Sequence, residues 1–512
     1  MSAGVYERFY VNFTTAVPRS LLEDLAQGLM QSNSTHRLGR LTDQYVHYCC
    51  LEDNLFSLEQ PRVLKLFNDS KTKEDRLRKV VGDIADSLLC LLLSIGGPVP
   101  IIASPRGDSS SNMIATEVES RIKNHLLDFN SLGAGRLELH DQLGLQRPVI
   151  FVLDRSFDLG TVLRHSSAYN SLVHDVLGVR LNRIPLAADK VVHVDEEDWF
   201  WRDNASLAFP LVTEAVDTAL ANYKAEHDRF VPKRSDGQDP SESLNAQELR
   251  IALQVIPELT ERKRIIDVHL NICTALLEAI KKRDLGDLVA LQRDPQKHVI
   301  LEAIRAKGDP QDKLRLLLLY VMRHPEMSKV EREELERASG ADPAIVSACL
   351  KFIKQVNPPA AISAPTNTAS VPTSPTGLIN AQLIQRITDS TGMGGMLGNL
   401  VSSVKNLIPE STSDSPICKQ VDALLDAITT NSSSSFIILD PSTKKQQQSG
   451  KSAYNYVILF VVGGATYQEY NNLKEHFQRK MRMAFTLGTT ELLNAQSLLT
   501  QMYEDDDEVS LL

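Results

Sequence analysis

The stretch FVLDRSFDLGTVLRHSSAYNSLVHDVLG, residues 151–178, decides how the chain is read. Val149 to Leu153 carries no charge, as expected of a strand buried on both faces of a parallel sheet. Asp154, Arg155 and Asp158 follow at once, then His165, Ser166, His174 and Asp175. Acids, histidines and a serine just after a buried strand are what an α/β enzyme would use. A Ser-His-Asp hydrolase of this class needs a nucleophile elbow, GxSxG, and Ser156 has no flanking glycines. An aspartyl nucleophile for phosphoryl transfer needs an acid pair spaced more tightly than Asp154 and Asp158. His165 and His174 lack the HExxH spacing of a metal site. The competing reading is structural: Asp154 and Arg155 form a pair at a strand end, and the later residues cap and pack a helix.

Working outward, strands and helices alternate. VYERFYVNF (Val5 to Phe13) reads as a strand. Pro18 to Met30 reads as a helix with Leu21, Leu22, Leu25 and Leu29 at helical spacing. Tyr45 to Leu51 is strand-like, as is the segment near Leu55. Asp83 to Ser94 is expected as a buried helix, Val99 to Ala103 as a buried strand, and Val191 to Val194 as a short one. This order argues for an α/β domain.

From Leu211 to Val356 the pattern is helical. Val212, Val216, Ala219, Leu220 and Tyr223 make one stripe. Leu249, Leu253 and Ile256 make a second, and Ile265, His269, Ile272, Leu276 and Ile280 continue it beyond Pro257. The polar loop VPKRSDGQDPSES lies between them, so the pair reads as a helical hairpin. Asp309-Pro310 reads as an N-cap with proline at N1, and Ser328 with Glu331 as a capping box. Asn357 to Gly377 is a Pro/Ser/Thr/Ala linker. Tyr456 to Val462 (YVILFVV) returns to a bare strand, with a shorter one at Ala484 to Gly488. A strand after so long a helical section implies a discontinuous domain that rejoins the first sheet.

The 512 residues allow several cores, and a net charge of −10 argues against general nucleic-acid binding. Six cysteines without CxxC pairs fit a reducing compartment and no zinc site. The N-terminus shows no secretory pattern, and SLLCLLLSIGGPVPII is broken by Gly96, Gly97 and Pro98. A cytosolic protein is expected. Ser449-Gly450-Lys451-Ser452 ends like a P-loop, but the first glycine of that motif is missing from the lysine- and glutamine-rich stretch before it. Gly463-Gly464 reads as a tight turn, and GMGGMLGN (Gly392 to Asn399) as a joint. The tail MYEDDDEVSLL matches an acidic-dileucine pattern and also a plain solubilising tail. No catalytic constellation survives, and no metal or cofactor is expected. A pair of long amphipathic helices suits a protein that grips other helices.

VLDRSFDLGTVLRHSSAYNSLVHDVLGVRLNRI resembles the signature region of the SM (Sec/Munc) family of syntaxin-binding proteins, nearest to the Sly-type branch serving ER–Golgi traffic. LEDNLFSLE, GPVPIIASPRG, ERKRIIDVHLNICTALLEAI, GDPQDKLRLLLLYVM, GGMLGNLVSSVKNLIP and VILFVVGGATYQEYNNL agree in the same order. The resemblance implies a non-enzymatic SNARE chaperone, cytoplasmic and held at ER and Golgi membranes through SNAREs. Its implied partners are a syntaxin-type Qa-SNARE, assembling SNARE complexes and tethering factors. The implied fold is α/β plus mainly helical: a three-domain arch with a truncated α/β first domain, a discontinuous α/β second domain and a helical third domain. The expected limits are 1–58, 59–208 with 453–512, and 209–452.

Three groups of residues acquire roles through this resemblance. Leu22, Leu41 and Asp43 would surround a pocket for the N-terminal peptide of syntaxin, the leucines taking an apolar side chain and Asp43 a basic one. Val212, Val216, Tyr223, Leu249 and Leu253 would grip SNARE helices from the hairpin, against the alternative that they face their own core. Asp154, Arg155 and Asp158 become a structural strand-end motif. The family's opening elements have no counterpart before Val5, so the reading expects a shortened first domain with an exposed edge strand. It leaves a divergent hydrolase and a non-productive decoy as alternatives.

Overall fold

The structure, a computed structural model, describes residues 7–15, 17, 19–132, 139–140, 147–187, 190–194, 197–230, 246–292, 296–306, 308–356, 415–430, 435–442, 454, 456–481 and 483–504. Contacts divide the chain into two units. The first comprises residues 1–159, 412–465 and 472–493, and the second comprises 160–411, 466–471 and 494–512. The P-loop-like segment, the glycine-rich joint, the long linker and the acidic tail lie outside the described residues.

In the first unit, strands β1 (Phe9–Phe13) and β2 (Leu38–Asp43) pair in parallel, joined through the Arg19–Gln31 helix. Strands β3 (Cys49–Glu52), β4 (Leu55–Ser57), β5 (Ile101–Pro105), β6 (Val149–Asp154), β7 (Phe436–Leu439), β8 (Tyr456–Val462) and β9 (Ala484–Thr489) form one sheet, in the order β7-β5-β6-β8-β9-β4-β3. The late strand β8 lies between β6 and β9, with Leu459 opposite both Phe151 and Leu487. The α/β domain is therefore discontinuous. Pairing also extends to β3 and β4, on the N-terminal side of residue 58 where the sequence reading drew a limit.

The charge-free runs explain the centre of the sheet: residues 149–153 and 457–461 are at most 1% exposed. The helices Glu74–Ile95 and Ser110–Leu132 cover one face, burying Ile84, Leu88, Ile114 and Val118 with Ile150 and Phe460. The first of them begins at Glu74 rather than Asp83, because Glu74 and Asp75 favour the positive end of the helix dipole. The strand expected from Tyr45 begins at Cys49, since Tyr45 has φ of 54° and breaks extended pairing. Gly488 is required by packing: a Cβ there would lie 2.0 Å from the Phe56 ring.

In the second unit, helices α1 (Tyr169–Val176), α2 (Trp199–Asn204), α3 (Phe209–Phe230) and α4 (Ala246–Arg283) share a core with the paired strands Arg183–Ala187 and Lys190–His193. Helix α4 runs through Pro257, and its stripe Ile265, His269, Ile272, Leu276 and Ile280 is buried throughout. Helix α5 (Pro310–Arg323) opens with Asp309 accepting from Gln311 N at 2.9 Å and with proline in its first turn. The Ser328–Glu331 capping box is formed in both directions. Both caps follow the sequence signals that announced them.

Candidate functional site

At the end of β6, Asp154 is half-buried. Its Oδ1 accepts from Ser156 N at 3.0 Å, capping a short 3₁₀ turn at Arg155–Phe157, and its Oδ2 accepts from Ser110 Oγ. The carboxylate is thus held by two donors at the start of the Ser110–Leu132 helix. Arg155 is fully buried. Its Nη1 donates to the Gly464 carbonyl at 3.3 Å and its guanidinium lies 4.3 Å from the centre of the Phe157 ring. Gly463 makes this possible, since a Cβ there would come within 3.1 Å of both Arg155 and Leu64. Asp158 closes the turn through its backbone N–H to the Arg155 carbonyl at 3.3 Å. Asp154 and Arg155 are the adjacent halves of one lock, each turned to its own partners.

His165, Ser166, His174 and Asp175 each have a place in the packing of the second unit. His165 Nε2 donates to Asp312 Oδ1 at 2.8 Å, and Gln292 Nε2 donates to His165 Nδ1. Burial, and then the nearby Arg315 charge, push the His165 imidazole pKa down, so it acts as a neutral donor. Asp312 is 1% exposed. Burial alone would raise its pKa. Hydrogen bonds from Arg283 and His165 overcome that and hold the carboxyl well below the usual range. Arg283 reaches it with two bonds, of 2.8 and 2.5 Å. Arg315, 1% exposed, donates to both oxygens of Asp175 at 3.1 and 2.9 Å and to the carbonyls of Leu163 and Arg164. Ser166 Oγ donates to Gln468. His174 stacks edge-on to Tyr467 at 5.5 Å, and burial pushes its pKa down to about 4.

Residue-by-residue reading missed Asp312, Arg315, Arg283 and Gln292. The available signal was Asp312 and Arg315 at i, i+3 in DKLRLLLLY: two charges whose spacing puts them on one helical face of an otherwise apolar run. A second buried chain runs Tyr169–His269–Asp198. Tyr169 Oη lies 2.9 Å from His269 Nδ1, and His269 Nε2 is 3.0 Å from both Asp198 oxygens. Asp198 also accepts from Trp201 N at 2.9 Å and so caps α2. Burial raises the Tyr169 pKa well above its ordinary value. Among the described residues no group of His, Cys, Asp or Glu is placed to hold a metal ion.

The hairpin requires a correction. Val212 and Val216 are 0% exposed and pack with Ile265, Ile272 and Leu276 in the unit's own core, so neither presents a side chain to a partner. The stripe that was to grip is here the seam between α3 and α4. Tyr223, farther along α3, is half-buried with its ring 5.8 Å from that of His227. Arg262 Nη1 bonds Glu226 across the hairpin at 2.5 Å. Leu249 and Leu253 lie on α4, but their side chains are outside the described residues.

At β2, Leu41 and Asp43 point to one side, being two residues apart on a strand, and both are half-buried. Leu22 lies on the inward stripe of the Arg19–Gln31 helix with Leu25 and the buried Leu29. Leu21, one step round that helix, is 53% exposed. Asp43 Oδ1 is buried and has no hydrogen-bond partner among the described residues. Burial raises its pKa. The acid is half-covered, and its Oδ1 is left without a donor among the described residues.

A family model described as "Sec1 family" matches residues 2–501. The chain belongs to the Sec1 family. It is 31% identical over 526 residues to the "SEC1 family transport protein SLY1" of Arabidopsis thaliana, covering 98% of this chain and 81% of that protein. It is 31% identical over 553 residues to "Protein sly1" of Schizosaccharomyces pombe, covering 98% and 82%. Among solved structures it is similar to Sly1p in complex with an N-terminal peptide of Sed5p, at TM-score 0.75 and 27% identity over 97% of this chain and 80% of that one. It shares its fold with Vps45 in complex with the Qa SNARE Tlg2, at TM-score 0.67 and 17% identity over 98% and 82%. The resemblance read from the sequence is thus confirmed for a Sec1-family chain of Sly1 type.

Proposed function

We propose that this protein binds a syntaxin-type Qa-SNARE and promotes SNARE assembly in vesicle transport between ER and Golgi, without catalysis of its own. The observation that carries the reading is the similarity, along almost the whole chain, to Sly1p with its Sed5p peptide. The unpartnered Asp43 Oδ1 beside Leu41 supports a peptide site on this unit. A basic peptide side chain would supply the missing donor, and Leu22 and Leu41 would cover an apolar one. In the second unit, Tyr223, Leu249 and Leu253 remain the candidate grip. Holding SNARE helices in register lowers the entropy cost of nucleating their coiled coil. The strand-end motif Asp154, Arg155 and Asp158 is structural, which leaves the hydrolase reading without a free acid at that position.

The domain limits 1–58, 59–208 with 453–512, and 209–452 belong to the same proposal. So do a cytoplasmic location at ER and Golgi membranes, with tethering factors as further partners. No helix among the described residues is long and apolar enough to cross a membrane. The test is calorimetric titration of the chain with the cytoplasmic part of a Sed5p-type syntaxin, with and without its N-terminal peptide. Binding that falls sharply without the peptide supports the Asp43 site. Equal binding by both forms removes that site and leaves the hairpin. Binding by neither form sinks the proposal.

A further inference from the structure

The inward stripe of α4 is mostly apolar. Ile265, Ile272, Leu276 and Ile280 are at most 4% exposed, and none has a polar atom that fixes a position along the helix axis. A helix held by such a stripe alone can shift by one turn, about 5.4 Å, and pack nearly as well. Two polar residues interrupt the seam. His269 is 0% exposed, with its Nδ1 2.9 Å from Tyr169 Oη and its Nε2 3.0 Å from both Asp198 oxygens. The Tyr169 hydroxyl also meets Cys273, one turn further along α4, and the Tyr169 ring stacks at 6.2 Å on Phe209, the first residue of α3. Arg283, about four turns beyond His269, holds Asp312 of α5 with bonds of 2.8 and 2.5 Å. The ion pair across the hairpin, Arg262 with Glu226, is 43% and 40% exposed, so water weakens it.

The buried relay can be satisfied in one register. A shift of three or four residues would bring Ile265, Ile266, Ile272 or Cys273 to the place of His269. Isoleucine has no polar atom and a thiol is a weak donor, so Tyr169 and Asp198 would stay buried without a full partner. The same shift would part Arg283 from Asp312. We propose that the Tyr169–His269–Asp198 relay is a register pin and that His269 is a positioning residue for the hairpin. It fixes α4 along its axis, and so fixes the axial offset of Leu249 and Leu253 on α4 relative to Tyr223 on α3. The inference rests on the hairpin reading above and adds to it residues that touch no SNARE. A template for two helices has to present its grip at one offset, because a one-turn error misaligns the knobs and holes of the coiled coil. Apolar packing supplies strength without choosing a register, and a buried polar group chooses it.

Tyr169→Phe, Asp198→Ser and His269→Leu together remove the relay, yet keep apolar volume at the ring and imidazole positions and a hydroxyl to cap α2. The Tm of this triple variant is expected to stay close to that of the unaltered chain. Spin labels on Asp203→Cys and Lys263→Cys, in a background of Cys49→Ser and Cys50→Ser, read the position of α4 against α2. One narrow distance is expected with the relay intact, and two populations in the triple variant. Affinity of the triple variant for the cytoplasmic part of a Sed5p-type syntaxin without its N-terminal peptide should drop about tenfold, while affinity for the isolated peptide stays unchanged. His269→Gln retains a donor towards Asp198 and should keep both the single distance and the affinity. A single distance in the triple variant overturns the pin. Two distances with undiminished syntaxin affinity overturn the positioning role. A triple variant that does not fold, or that loses peptide and syntaxin alike, marks the relay as scaffold and overturns the inference. So does a His269→Gln variant that behaves like the triple one, since imidazole packing would then set the register. If the unaltered chain does not bind the peptide-free syntaxin, the hairpin reading fails and takes the positioning role with it, whatever the label distances show.

Discussion

Asp312 in the second unit and Asp43 in the first are both acids with a buried oxygen, and their surroundings treat them in opposite ways. Asp312 receives two bonds from Arg283 and one from His165, and its pKa is held down. Asp43 receives none at Oδ1 among the described residues, and its pKa is pushed up. A saturated buried acid has its charge compensated inside the fold and nothing to offer a ligand. An unsaturated one is a debt of the isolated chain that an incoming cation can settle. Of the residues that looked most like chemistry, Asp154, His165, Ser166 and Asp175 have side-chain partners within the fold.

The largest expected effect tests the saturated side. Asp312→Ala strips the partner from Arg283 and His165 inside a packed core, and should cost about 3–5 kcal/mol in chemical denaturation. A loss below about 1 kcal/mol would show that the cluster is incidental and that the contrast has no energetic basis.

A pH effect of similar size comes from His174. Its pKa is pushed down by burial to about 4, below the ordinary histidine value of 6.5. Between those values the unfolded chain binds a proton that the folded chain refuses, so stability falls as pH drops from 6.5 towards 4 and then levels off. The full span corresponds to about 3 kcal/mol. His174→Leu should flatten that part of the curve of stability against pH. An unchanged slope would assign the acid sensitivity to other groups.

The hairpin offers a smaller contrast. Val212→Ala opens a cavity in the seam between α3 and α4 and should cost about 2 kcal/mol of stability. Tyr223→Ala, on the half-buried part of α3, should cost less stability and instead weaken binding to assembled SNARE segments. Equal stability losses would place Tyr223 in the same structural class as the valine.

How far the sequence could be read follows from the same physics. Charge-free runs such as 149–153 and 457–461 announced central strands, because only a strand covered on both faces can dispense with polar residues. Asp309-Pro310 and Ser328 with Glu331 announced helix starts, because those signals are local. Two kinds of information were not local. Val212 and Val216 form a clean stripe, and periodicity alone cannot say whether a stripe faces its own core or another molecule. Asp312 finds His165 across 147 positions of sequence, so no window of the chain contains the pair.

The smallest stability effect is the sharpest test of the unsaturated side. Asp43→Asn keeps the shape and removes a charge that the fold leaves uncompensated. The isolated chain should therefore change by less than about 1 kcal/mol, and towards greater stability above the carboxyl's pKa. Its sign is opposite to that of Asp312→Ala. The raised folded pKa means that ionised Asp43 opposes folding as pH rises through the ordinary carboxylate range, and the amide abolishes that opposition. Affinity for the N-terminal peptide should fall by about tenfold, because a neutral amide cannot meet a cation as a carboxylate does. Reversing the peptide's basic residue to an acid should cost the unaltered protein more than Asp43→Asn. If Asp43→Asn instead destabilises the chain and leaves peptide binding intact, Asp43 belongs with Asp312 as scaffold, and an unfilled acid would cease to mark the binding surface in this protein.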